Sequence, residues 1–179
     1  RQGDFVADHY VVATGSFSTP LMKFMRIRLP MRPAKGYSLT LERSDSQAPL
    51  RTPVVDDHLH AVITPLGDQL RVAGTAEFSG YDLTLPQPRI ENLVNLVRMI
   101  LPHQRIDPTK VRSWCGLRAI TTDGVPIVGR TPLTNLYVNT GHGHLGWTMA
   151  AGSAQLLVDL ITGKTPAINQ ESFALARFY

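Results

Sequence analysis

The sequence predicts an α+β fold, and three observations carry that expectation. Residues 35–75 hold strand-like alternation broken by turn signals, residues 89–101 have the apolar spacing of one amphipathic helix, and residues 135–163 read as strand, glycine turn and helix. Strands gathered ahead of a helix, rather than alternating with helices, favour an antiparallel, mixed sheet with a covering helix over a wholly parallel one.

Residues 8–14 (Asp-His-Tyr-Val-Val-Ala-Thr) form a short apolar strand that Gly15 ends, and residues 16–24 suit a brief helix beginning near Pro20. From 25 to 34, basic and apolar residues alternate around Pro30 and Pro33, which keeps the chain extended or at a sheet edge. Residues 35–42 have the period of a half-buried strand, and 43–53 are polar and proline-flanked, hence a loop. Strands at 58–64 and 69–75 flank Pro65-Leu66-Gly67-Asp68, a hairpin turn. In 89–101, Ile90, Leu93, Val94, Val97, Ile100 and Leu101 fall on one helical face, with Pro102 beyond. Residues 111–119 return as a strand, and 121–129 hold a turn at Asp123-Gly124 with a short apolar segment after it. In the last helix Trp147, Ala150, Ala151, Ala154, Leu157, Leu160 and Ile161 recur at helical spacing, with Gly163 and Pro166 as stop signals. Residues 171–179 have no clear pattern. The first and last pieces are expected to belong together, with the sheet inserted between them.

The modest charge of +4 includes Lys23, Arg26, Arg28, Arg32 and Lys35, scattered as a solvated edge would scatter them rather than as a nucleic-acid or membrane surface. The single cysteine, Cys115, excludes an internal disulfide, fits a reducing compartment and reads as a packed core thiol. No leader and no apolar run near 20 residues is found, and a chain that starts at Arg1 and meets a strand at once reads as a piece of a larger protein. His58 and His60, on one face of the expected 58–64 strand beside Asp56 and Asp57, have metal-ligand types, but two exposed histidines are weak evidence, and no metal is expected.

The turn after the last strand spells G-x-G-x-x-G at Gly141, Gly143 and Gly146. Glycines there free backbone amides at a helix N-terminus, where they and the helix dipole favour an anionic or electron-rich group. A dinucleotide fingerprint would need a further strand and an acid about 20 residues on. Asp159 lies inside the helix, and 164–170 is no strand. A second reading has the loop close over another part of a cofactor. A third gives the glycines only a packing role, which leaves His142 and His144 unexplained.

Five segments, Tyr10 to Ser18, Lys35 to Thr40, Trp114 to Arg118, Thr122 to Arg130 and Asn139 to Met149, together resemble the C-terminal half of the FAD-dependent amine oxidoreductases. This is the superfamily of D-amino acid oxidase and glycine oxidase, and the resemblance is to its bacterial D-amino acid dehydrogenase (small subunit) branch in particular. It implies FAD as cofactor and a D-amino acid as substrate. A hydride would leave the α-carbon, and water would convert the imino acid to a 2-oxo acid and ammonia. The electrons would pass to a quinone or another acceptor; an oxygen-using glycine or sarcosine type oxidase, or a non-catalytic isolated domain, are the rivals. It implies a substrate-binding domain at 31–118 and the remaining, Rossmann-like part of an FAD-binding domain at 1–30 and 119–179. The N-terminal dinucleotide-binding strand and glycine loop are missing, so the fragment alone is expected to be inactive. Localisation is expected to be cytoplasmic, with peripheral association of the full-length enzyme at the inner face of the membrane.

The resemblance also implies roles. Ala13, Thr14 and Gly15 would be the strand end that runs past the cofactor. Gly141, His142, Gly143, His144, Leu145 and Gly146, with Thr148, would meet the flavin, His142 tuning its polarity and His144 serving equally as a structural hydrogen-bonder. Arg118 would clamp the substrate carboxylate, for which a guanidinium fork is better matched than an ammonium. Tyr37 would line the substrate cavity. Ala119 stands where relatives commonly have proline, which loosens that turn without removing the arginine.

Overall fold

A computed structural model describes residues 3–44 and 50–179. The chain is α+β and divides into two compact units, an outer one of residues 1–33 and 118–179 and an inserted one of residues 34–117. Two strands, β2 (Met31–Glu42) and β6 (Arg112–Thr121), each begin in one unit and end in the other.

In the outer unit, β1 (Tyr10–Val12) pairs parallel with β8 (Leu136–Thr140), and β8 pairs antiparallel with β7 (Ile127–Arg130), giving the order β1-β8-β7. The apolar run of β8 is buried on both faces, as a central strand must be. Leu136 and Val138 join a core with Met22 of α1 (Ser18–Phe24), Ile27, Leu29, Met31 and Leu175, whereas Tyr137 and Val128 pack on Leu156 and Leu157 of α3 (Gly146–Thr162). Gly163 caps α3 at φ 70°, and Lys164 N donates to Asp159 O at 2.9 Å, the glycine stop the sequence signals.

The apolar face expected for α3 is corrected. Only its second half lies on the sheet, through Leu156 and Leu157, so Trp147 is 97% exposed and Ala150, Ala151 and Ala154 are exposed with it. The tail is ordered into two 3-10 turns, Gln170–Phe173 and Leu175–Phe178. Arg177 donates to both carboxylate oxygens of Asp123, at 2.8 and 3.2 Å, and to Val125 O, while the Tyr179 hydroxyl donates to Arg28 O at 2.6 Å.

In the inserted unit, β3 (Val54–Asp56), β4 (Ala61–Leu66) and β5 (Gln69–Glu77) form an antiparallel run, and β5 pairs with β2 from Lys35 to Glu42. The β4–β5 hairpin turns at Gly67-Asp68, with Gly67 at φ 61°. Helix α2 (Gln87–Ile100) starts after Pro86 and buries Ile90, Leu93, Leu96 and Val97 against Tyr37, Leu39, Ile63, Leu70 and Val72. His58 and His60 are not on a strand: Asp56 Oδ1 accepts Leu59 N at 2.8 Å, which folds 57–60 into a turn before β4 begins. Among the described residues, no group of three or more His, Cys, Asp or Glu could hold a metal.

The Arg177 guanidinium holds the Asp123 carboxyl down at about 2, so the pair's stabilisation is complete above the ordinary carboxyl value of 3.8 and is lost as pH falls toward about 2. Thermal melts of the wild type and Arg177→Ala are therefore expected to differ at pH 7 and to converge as the pH approaches 2; a gap that persists in acid contradicts the assignment.

Candidate active site

The end of β8 is fixed by hydroxyl groups. Thr140 Oγ1 donates to Gly15 O at 3.0 Å and accepts from Ser18 Oγ at 3.2 Å, and Ser18 lies 3.1 Å from Thr14 Oγ1. This relay brings the Ala13-Thr14-Gly15 segment to the start of the glycine loop, two regions 122 residues apart at the Ser18–Thr140 bond. Ala13 and Thr14 are exposed, and Gly15 is half-buried at φ 55°. Ser18 and Thr140 carry no local sequence signal, since any strand end has hydroxyl residues; only the fold shows that they meet.

Gly141 follows at φ 82°, and a Cβ there would fall 2.5 Å from Thr121 Cγ2, so the chain can pass only as glycine. His142–Gly143 form the short β9, paired with Ile120 and Ala119 of β6. Gly146 then opens α3 without any side-chain cap at Leu145. An uncapped helix start leaves its first N–H groups free for an electron-rich partner, with the helix dipole adding to the attraction. Leu145 and Thr148, in and just beyond this turn, are exposed.

His142 is half-buried, with Nε2 2.8 Å from Ser153 Oγ of α3, and burial lowers its pKa, so the ring is neutral at pH 7. His144, by contrast, is exposed in the turn. Ser153 was not singled out by the sequence, being one of several small residues on α3.

Arg118 lies half-buried on β6, and its guanidinium makes no hydrogen bond or ion pair with any described side chain. Strand alternation puts Ala119 and Thr121 on the buried face and Arg118 with Ile120 on the other. Ile120 Cδ1 is 3.3 Å from where Gly143 would carry a Cβ, so the arginine shares its face with a residue packed on the glycine loop. A half-buried guanidinium without an internal partner is suited to an incoming carboxylate.

Tyr37 belongs to the inserted unit and is buried at 1% exposure. Its hydroxyl donates to Glu77 Oε1, so its remaining capacity is that of an acceptor. Lys35, expected at a solvated edge, is instead fully buried, with Nζ 2.9 Å from Asp82 Oδ2, 3.3 Å from Glu77 Oε1 and 5.3 Å above the Tyr37 ring. Arg89 completes the network at 3.0 Å from Glu77 Oε2. Burial works against the Lys35 ammonium, but the hydrogen bonds it donates to Asp82, Tyr37 and Glu77 outweigh it and hold its pKa above the ordinary value. The Thr84 amide and hydroxyl, with Lys35, hold Asp82 down at about 2, and the Tyr37 hydroxyl leads in lowering Glu77. Burial raises the Tyr37 phenol, which stays protonated.

A family model described as FAD dependent oxidoreductase matches residues 1–160. The D-amino acid dehydrogenase of Xanthobacter autotrophicus is 48% identical over 172 residues, covering 96% of this chain and 41% of the relative. That of Vibrio vulnificus is 47% identical over 177 residues, covering 98% and 42%. Among solved structures, glycine oxidase from Geobacillus kaustophilus superposes with a TM-score of 0.84 at 24% identity, covering 97% of this chain and 46% of that one. L-Proline dehydrogenase from P. horikoshii gives 0.78 at 23% identity, covering 95% and 46%. The chain thus spans about two fifths of the length of the curated relatives it matches.

Two glycines test the geometry. Gly141→Ala is expected to lower stability by at least about 2 kcal/mol in denaturant titration, through the positive φ and the Thr121 clash. Gly152→Ala, on α3 with nothing within 4 Å of its Cβ position, is expected to raise stability by about 0.5–1 kcal/mol.

Proposed function

The chain belongs to the FAD dependent oxidoreductase family, and on that premise we propose that it is the carboxylate-binding and flavin-edge part of an enzyme that oxidises D-amino acids to 2-oxo acids and ammonia. One observation carries the reading: the Thr140 relay sets Ala13-Thr14-Gly15 beside a glycine loop that ends in the uncapped start of α3. This donor set fits the electron-rich pyrimidine edge of an isoalloxazine. The N–H groups that open α3 have no side-chain cap, the dipole has the right sign, and Gly141 allows close backbone approach.

When bound, FAD supplies the electron sink for a hydride from the substrate α-carbon. The chain's own groups do the rest. The N–H groups at the start of α3 would face the ring edge and favour negative charge there, and the fold positions them in advance. His142 and Thr148 are proposed as further contacts, the neutral imidazole adding polarity without a competing positive charge. Leu145, exposed in the same turn, offers apolar surface to the ring, and His144 a solvent-side hydrogen bond. Arg118 binds the substrate carboxylate and so fixes which face of the α-carbon is presented. Tyr37 is given no substrate contact: its ring is buried in the core of the inserted unit and its hydroxyl is engaged by Glu77 and Lys35. Electrons are proposed to leave to a quinone or another carrier, and the 48% identity to a named D-amino acid dehydrogenase supports the D-amino acid as donor.

The test is Arg118→Ala in the intact protein. kcat/KM for D-alanine is expected to fall by about 10²-fold, corresponding to roughly 3 kcal/mol, chiefly through KM and with the flavin absorbance unchanged. Unaltered kinetics would remove Arg118 from the substrate, and a lost flavin spectrum would give it a structural role instead.

A further inference from the structure

One face of β6 carries Trp114, Gly116 and Arg118 at successive positions. Their side of the strand is fixed by the residues between and beyond them, since Cys115 packs on the α2 core and Ala119 belongs to the core of the outer unit. A Cβ on Gly116 would fall 2.2 Å from Trp114 Cη2, 2.8 Å from Cζ2 and 3.0 Å from Cζ3, so the benzene end of the indole lies over the glycine. Glycine inside a strand weakens it and marks where another group comes close to the backbone. Here that group is the indole two residues earlier, which is thereby aimed along the strand toward Arg118.

The ring is held in place and still left open. Trp114 is 64% exposed and belongs to none of the three hydrophobic cores. The adjacent strand β2 turns Tyr37, Leu39 and Leu41 to the α2 core, so the face it shares with Trp114 carries Ser38 and Thr40, small residues that are both buried. On the other side of β6, β9 pairs only at Ala119 and Ile120, short of Trp114. A strand advances about 3.3 Å per residue, which puts Arg118 about 7 Å past the glycine that the indole covers. An amino acid gripped by its carboxylate at Arg118 spans such a gap with its own side chain.

We propose that Trp114, laid over Gly116, is the wall of the substrate side-chain subsite and selects D-amino acids with flat or extended apolar side chains. An aromatic face rewards such side chains through buried area and ring stacking, and a ring already seated on the strand loses little freedom when they bind. The inference rests on Arg118 as the carboxylate clamp and deepens that reading by naming what the remainder of the substrate meets.

The experiment uses the intact protein and reads two ratios. One is kcat/KM for D-phenylalanine over D-alanine; the other is the calorimetric affinity for phenylacetate over acetate, acids that have no amine to oxidise. Trp114→Ala is expected to lower both ratios about tenfold, and Trp114→Phe to keep most of each. Gly116→Ala retains the tryptophan but pushes its ring off the strand, and is expected to lower both ratios as well. Gly116 is not among the positive-φ glycines, so the strand accepts the added methyl group and it is the ring that moves, which separates a lost subsite from a lost fold. If Arg118→Ala leaves the binding of both acids untouched, the clamp fails and the subsite falls with it. If Arg118→Ala releases both acids while Trp114→Ala and Gly116→Ala keep the wild-type ratios, the clamp stands and the subsite alone is overturned.

Discussion

The hydroxyl of Thr140 fixes the geometry on which the candidate site depends. It donates to Gly15 O and accepts from Ser18, so one buried side chain joins the end of β1, the start of α1 and the end of β8. A buried hydroxyl must satisfy its donor, and here Gly15 O, in the turn ahead of α1, accepts it while Ser18, the first residue of α1, supplies the second bond. From that point the chain must turn through Gly141, where Thr121 excludes any side chain, before reaching the uncapped start of α3. The amides of the turn are therefore placed by packing on the sheet side and not by the ligand they would meet, which is what preorganised stabilisation of a growing negative charge requires.

Electrostatics in the two units serve different ends. In the inserted unit the Lys35, Glu77, Asp82, Arg89 and Tyr37 groups satisfy one another, so a fully buried ammonium is tolerated and the Tyr37 hydroxyl has one orientation. Removing one partner would leave a buried charge unpaired, the costly case for such networks. In the outer unit Arg118 has no described partner, and the α3 N-terminus has no side-chain cap. Satisfied charges hold structure, and unsatisfied ones mark where the protein meets something else.

Much of this was legible in the sequence because glycine, proline and period are local signals. Gly141, Gly143, Gly146 and Gly163 announce turn and cap by chemistry that needs no partner, and the α2 stripe of Ile90, Leu93 and Val97 faces the core as its spacing requires. What could not be read depends on distant pairing. Lys35 looks like any cation near a strand start until β5 sets Glu77 opposite it. The α3 face is not legible because apolar residues surround that helix, and only the reach of the sheet under Leu156 and Leu157 decides which are covered. The apolar residues after His58 and His60 suggest a strand there, whereas an Asp56 side chain holding a backbone amide shapes a turn first.

The central claim is that the peptide groups between Thr140 and Trp147 receive the edge of the flavin ring. It is tested most directly by a crystal structure of the intact protein loaded with FAD. The account predicts the pyrimidine edge of the ring within hydrogen-bonding distance, about 2.7–3.2 Å, of at least one N–H from this turn. A ring bound elsewhere, with these amides facing solvent or another part of the polypeptide, would contradict it.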